Sequence, residues 1–189
     1  MNPVVRIVVV AVTGIVLGLF ATWITMRGLP GAVSSGVWVT NLTTGSPASD
    51  PYTRARVALH GLFALNRNET IYYTATKDDG GERLDGKCRY ELRGRDPNAR
   101  WWSITAYGGD DFLIANPQNI YSVSATSVVR GKDGSFSVAV GGARGPGANW
   151  IPAGDGAFSL TLRLYNPGPE VALDPSQAAL PSLKRIGCP

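Results

Sequence analysis

At 189 residues, with 18 Lys and Arg against 14 Asp and Glu, the chain has room for one ordinary domain plus an appendage and a formal charge of only +4. Much of the basic charge is local and opposed: Arg83, Lys87, Arg89, Arg93, Arg95 and Arg100 share a stretch with Asp85, Glu91 and Asp96. That mixture reads as a solvated strand face, and without unopposed basic residues interleaved with stacking aromatics no nucleic-acid partner is expected.

Ile7–Met26 reads IVVVAVTGIVLGLFATWITM, with no charge in it and with Arg6 and Arg27 on either side. A helix rising ~1.5 Å per residue crosses the ~30 Å hydrocarbon core in about 20 residues. Trp23 lies near one end, where an amphipathic ring prefers the interface. A cleaved signal peptide is the rival reading, but its apolar run is typically ~7–15 residues and ends at small residues. Met26-Arg27-Gly28-Leu29-Pro30 is a poor cleavage site, so residues 1–27 are expected to be an uncleaved transmembrane anchor. Gly14 and Gly18 form a G-x-x-x-G step, a spacing that lets a second helix approach closely.

Residues 28–49 are rich in Gly, Ser, Thr and Pro and read as a stalk, with a first strand near Gly36–Thr40. Asp50-Pro51 is an N-cap followed by proline at the first helical position, and a partial stripe of Val57, Leu62, Phe63 and Leu65 predicts a helix to about Asn66. From there the period becomes two. Glu69–Thr76 is rich in Tyr, Ile and Thr; Cys88, Tyr90 and Leu92 alternate with Arg89, Glu91 and Arg93. Trp102, Ile104 and Ala106 share one face, as do Phe136, Val138 and Val140, and as do Phe158, Leu160, Leu162 and Leu164. Such alternation marks half-buried strands, and the turn signals at 78–81, 108–111, 116–117 and 132–134 and a Gly-rich loop at 141–149 separate them. The expected fold is mainly β: an antiparallel jelly-roll sandwich over residues 50–175 with one short helix before it, and a C-terminal tail at 176–189.

The blocks that carry this pattern include GERLDGKCRY, WWSITAY, NWIPAG and FSLTLRLY. Their order over residues 36–172 resembles the bacterial family of domain of unknown function 1214. The resemblance implies a jelly roll and no established activity. It also implies a short membrane-anchored form whose partner is a separate chain carrying domain of unknown function 1254. Two departures stand out. Gly108 follows Tyr107 where relatives carry Asp, and Ala153 leads into Gly154 where relatives carry Pro.

The chemistry is sparse. Cys88 and Cys188 lie outside any C-x-x-C pair and His60 is the one histidine, so no metal or other cofactor is expected. The two cysteines form either one disulfide, which would place the domain in an oxidising periplasm, or two unrelated thiols. His60 has no visible acid or nucleophile partner, G-x-S-x-G is absent, and Gly141–Gly147 lies between strands without a phosphate-loop Lys. Asp78-Asp79 and Asp110-Asp111 lack the ligand spacing of a calcium loop and read as turns. No catalytic residue is therefore named.

The remaining candidate surface is Trp101, Tyr107, Asn149, Trp150, Arg163 and Tyr165, suited to a carbohydrate, a lipid headgroup or a protein edge. The plain structural alternative has Trp150 plugging the sandwich end and Arg163 bonding turn carbonyls. Two function classes stay open. The first is a non-enzymatic envelope protein acting by association, as subunit or accessory of an inner-membrane assembly with its C-terminal domain in the periplasm. The second is a hydrolase or ligand-binding module acting on envelope carbohydrate or lipid.

Overall fold

A computed structural model of the chain describes residues 2–27, 31–59, 64–142, 147 and 149–189. Helix α1 spans Pro3–Arg27 and, by length and composition, is able to cross a membrane; none of its apolar window is buried against the rest of the chain. An apolar helix at this position fits an anchor or a signal sequence.

Among the described residues the chain then forms β1 (Ala32–Ser35), β2 (Trp38–Asn41), α2 (Pro51–Leu59), β3 (Thr70–Ala75), β4 (Arg89–Arg95), β5 (Ala99–Gly108) and β6 (Ser122–Ser124). It continues with β7 (Ser135–Val140), β8 (Trp150–Ile151), β9 (Phe158–Pro167), α3 (Pro169–Leu173), a 3-10 turn at Pro175–Gln177 and β10 (Ser182–Gly187). Two sheets result, of six strands in the order β1-β2-β3-β9-β5-β6 and of four in the order β10-β4-β7-β8.

The alternation expected from the sequence is what builds the layers. Leu160, Leu162 and Leu164 of β9, Trp102, Ile104 and Ala106 of β5, and Ile71, Tyr73 and Ala75 of β3 are buried on the inner face of the larger sheet. Tyr90, Leu92, Phe136, Val138, Val140 and Leu183 face them from the smaller one, and all belong to one core cluster. Ring pairs join the layers: Trp102 stacks on Phe136 with centroids 5.0 Å apart, and Tyr90 meets Phe158 edge-on at 5.6 Å. The buried aromatics keep their polar tips bonded, as burial demands. Trp38 Nε1 donates to the Pro181 carbonyl, Trp102 Nε1 to Asp96, and the Tyr73 hydroxyl to the Pro175 carbonyl. Burial, with Asp174 nearby, pushes the Tyr73 phenol well above its ordinary range.

The structure departs from the sequence reading in four places. The segment expected as a stalk holds the β1–β2 hairpin, tied to β3 by Val39 opposite Thr74. Gly36, at φ 58°, makes its turn, and Trp38, 1% exposed, anchors it in the core. The expected C-terminal tail holds β10, which adds an edge strand to the smaller sheet beside β4. The early helix covers Pro51–Leu59 only, and residues 64–66 are not helical. Its expected N-cap is present: Asp50 accepts from the Tyr52 and Thr53 amides and from the Thr53 hydroxyl, whose bonds hold its carboxyl below its usual range. His60, Leu62 and Phe63 lie outside the described residues. Finally, among the described strands, pairing is antiparallel except that β8 runs parallel to β7.

Cys88 and Cys188 are joined by a disulfide across a sequence separation of 100, which ties the end of β10 to the start of β4.

Candidate functional site

The turn acids serve structure. Asp78, 3% exposed, accepts from the Gly80 and Glu82 amides and pairs with Arg185 Nε at 2.8 Å. Asp79 accepts from the Leu183 amide, and Asp110 from that of Phe112. No group of three or more His, Cys, Asp or Glu able to hold a metal ion occurs among the described residues. An open crevice of about 520 Å³ lies between Leu42–Pro47 and Asn66–Asn68, with Arg67 its one charged residue. Asn66 there is occupied in its own turn, accepting from the Asn68 and Glu69 amides.

The outer face of the six-stranded sheet is different. Because side chains alternate along a strand, the residues of β3, β9 and β5 that turn away from the core align in rows across the sheet. One row is Thr70, Tyr165 and Trp101; the next is Tyr72, Arg163 and Ser103; then Thr74, Thr161 and Thr105; then Ser159 and Tyr107. Tyr72, Trp101, Tyr107, Arg163 and Tyr165 are half-buried and shield Ser103, Thr105 and Thr161 beneath them.

Arg163 lies at the centre. Its Nη2 donates to the Tyr107 hydroxyl at 2.7 Å and its Nη1 to Thr105 Oγ1 at 3.3 Å. Its Cζ sits 5.9 Å from the Tyr72 ring centre and 5.5 Å from that of Tyr107, so one guanidinium lies between two phenol rings. Trp101 and Tyr165 pack edge to face with centroids 5.2 Å apart. The result is a broad aromatic platform floored by hydroxyls, with one fixed cation.

Four of the six surface residues named from the sequence therefore come together: Trp101, Tyr107, Arg163 and Tyr165. Asn149 and Trp150 do not join them, for Trp150 opens β8 in the other sheet, Asn149 directly precedes it, and they are 8% (Asn149) and 7% (Trp150) exposed. Asn149 bridges two segments: its Oδ1 accepts from the Val129 amide, and its Nδ2 donates to the Val129 and Ser137 carbonyls. Trp150 donates to the Gly141 carbonyl at 3.2 Å, which is the structural role set against its functional one. Arg163, by contrast, bonds hydroxyls and not turn carbonyls. Tyr72 was missed; its parity opposite Ile71 and Tyr73 in ETIYYTAT was the available signal.

The outer face of the smaller sheet carries Arg89, Arg93, Arg95 and Lys184 in the open. Arg93 pairs with Glu91 at 2.8 Å and Arg95 with Asp133 at 3.2 Å, and both arginines are 67% exposed, so these charges are largely screened.

A mainly β protein of two sheets with one apolar N-terminal helix and an internal disulfide is the class these features define. The chain belongs to the family of proteins of unknown function DUF1214, whose model matches residues 69–169, just over half of its length. Among solved structures, the VPA0106 protein from Vibrio parahaemolyticus is similar at 23% identity and a TM-score of 0.61, over 74% of this chain and 36% of that one. An uncharacterised protein from Burkholderia cenocepacia matches at 18% identity and a TM-score of 0.47, over 89% of this chain and 40% of that one. The chain thus spans well under half the length of either, and the first likeness speaks to fold alone. No curated protein matches it.

Proposed function

We propose that this chain is a non-catalytic binding module of the bacterial envelope. In this reading α1 is an uncleaved anchor in the inner membrane, and the remainder is a jelly-roll domain on the periplasmic side. The protein works by association, as a subunit or accessory of a membrane assembly that includes a separate chain with domain of unknown function 1254. Its binding surface is the outer face of the six-stranded sheet.

The observation that carries the reading is the grouping of Tyr72, Trp101, Tyr107 and Tyr165 around Arg163 on one open face. Large rigid aromatics with a central Arg are what binding surfaces enrich. The strand residues of that face include no carboxylate, histidine or cysteine to move a proton or attack a substrate. The disulfide supports the periplasmic side, since such bonds persist in oxidising compartments.

A photo-reactive amino acid placed at Trp101 or Tyr165 tests this in intact cells, with Lys184 on the opposite sheet as the reference position. Adducts from Trp101 and Tyr165, and not from Lys184, are expected. No adduct from either, or equal labelling at all three, overturns the assignment of this face.

A further inference from the structure

Arg163 is the one formal charge among the outward strand residues of β3, β9, β5 and β6. Two other arginines with side chains shielded to a similar degree, Arg130 and Arg185, have acids. Arg130, with its side chain 30% exposed, makes two hydrogen bonds to Asp96, and Arg185, also 30% exposed, reaches Asp78. Arg163 has two hydroxyls and two ring faces, and no ion pair to it occurs among the described residues. Partial desolvation of a cation is costly unless an opposite charge compensates, and the guanidinium fork matches a carboxylate or phosphate in geometry. The neighbours make the missing charge specific. Hydroxyls of Ser103, Thr105, Thr161 and Thr74 floor the face, and each both donates and accepts. Trp101 and Tyr165 close one end and Tyr107 the other.

From these features we infer that the face binds an acidic glycan, a saccharide chain that carries carboxylates, with Arg163 receiving the carboxylate. A pyranose ring presents C–H groups on its flat side and hydroxyls at its rim. An aromatic ring buries the first, and the hydroxyls of the half-buried Thr74, Tyr107 and Tyr165 are placed to meet the second. Trp101 and Tyr107 are six residues apart on one strand, ~20 Å at ~3.4 Å per residue, which leaves room for several sugar units along β5. A flat track of this kind accepts a polymer, whereas a small ligand calls for an enclosing pocket.

This inference rests on the proposed role of the face, and the test separates the two. The full chain in nanodiscs of zwitterionic phospholipid, free of sugar-based detergent, is titrated calorimetrically with a uronate oligosaccharide, a neutral cello-oligosaccharide of equal length, and inorganic phosphate. The uronate should bind most tightly, and more weakly as salt rises. Arg163→Gln should lower its affinity by about ten- to hundredfold, the worth of a charged hydrogen-bonded pair. Arg163→Lys, which keeps the charge without the fork, should retain part of it. Trp101→Ala should weaken both oligosaccharides and leave the thermal midpoint near that of the parent.

Equal binding of acidic and neutral oligosaccharides overturns the inference, and so does uronate binding unchanged in a folded Arg163→Gln protein. Phosphate binding as tightly as the oligosaccharide also overturns it, since the rings would then add nothing. If no oligosaccharide binds while Trp101 still cross-links in cells, the ligand class is wrong and the binding face stands.

Discussion

Thr70 presents a hydroxyl that is buried and has no hydrogen-bond partner among the described residues, lining a cavity of about 10 Å³ with Thr40, Asn41, Tyr72 and Pro175. An unsatisfied polar atom costs free energy, and replacing it with an apolar group of the same shape is neutral or stabilising. Thr70→Val should therefore leave the urea midpoint unchanged or raise stability by up to about 1 kcal/mol; a clear loss would show that the hydroxyl has a partner after all. Asp96 is the opposite case, with both carboxylate oxygens bonded. Arg130 donates to both of its oxygens and Trp102 Nε1 to one, at 2.7–2.9 Å. Hydrogen bonds from Arg130 hold its carboxyl below the usual range; burial opposes them, and the Trp102 bond and the Arg130 charge add to the lowering. A lowered folded pKa means a contribution that is complete above the unfolded value of about 3.9 and is lost as the pH falls through the folded one. Stability measured by urea titration should be level from neutrality down to about pH 5 and then decline, and Asp96→Asn should flatten part of that decline. Because the Asp96 side chain is 48% exposed, solvent screening keeps its share modest.

Strand β10 depends on a covalent tie as well as on pairing. Ser182 to Arg185 pair in register with Arg93 to Tyr90, a register shift follows, and Gly187 then lies opposite Arg89 beside the disulfide. Only Leu183 of this strand is fully buried, so little apolar area holds it down. Reducing the bond, or making Cys188→Ser, should cost about 2–5 kcal/mol in stability and speed amide exchange along Ser182–Gly187 more than along β9. Exchange that rises equally in both strands would mean that the tie stabilises only the whole. The same weak burial explains why β10 was unreadable as a strand: SLKRIG shows no alternation, and its partner β4 lies some 90 positions earlier in the chain. Strands β6 and β8, of three and two residues, are too short to display a period. Strand β9 was legible because every second residue enters the core. The platform was legible to the same degree, since Trp101, Tyr107, Arg163 and Tyr165 share outward parity on two strongly patterned strands. The outward parity of Tyr72 was local, but bringing it beside Arg163 needed the β3–β9 pairing, which no local pattern specifies. Asn149 and Trp150 were misplaced because composition alone does not tell which way a polar and an aromatic side chain point; Asn149 is fixed by Val129, twenty residues away.

At the scale of the molecule, α1 offers a surface for lateral contact as well as a candidate membrane span. Its apolar surface is unburied by the chain itself, and a Cβ built at Gly14 or Gly18 meets nothing within 4 Å. These glycines stand four residues apart and so on one helix face. In lipid, where apolar side chains gain little by meeting one another, association relies on close backbone approach, and paired glycines permit it. If α1 is an uncleaved anchor, the full-length chain resists extraction from membranes by carbonate or high salt; a soluble product beginning between Gly28 and Val33 would show a cleaved signal instead. If the helix also makes lateral contact, Gly14→Ile with Gly18→Ile should reduce recovery of its membrane partners in mild non-sugar detergent several-fold. The double mutant should leave the Cys88–Cys188 bond formed and the Trp101 cross-links intact, because neither lies within the span. Loss of partners together with those cross-links would place the effect on folding or insertion. Unchanged partners would leave α1 as a tether alone, with association carried entirely by the sheet face.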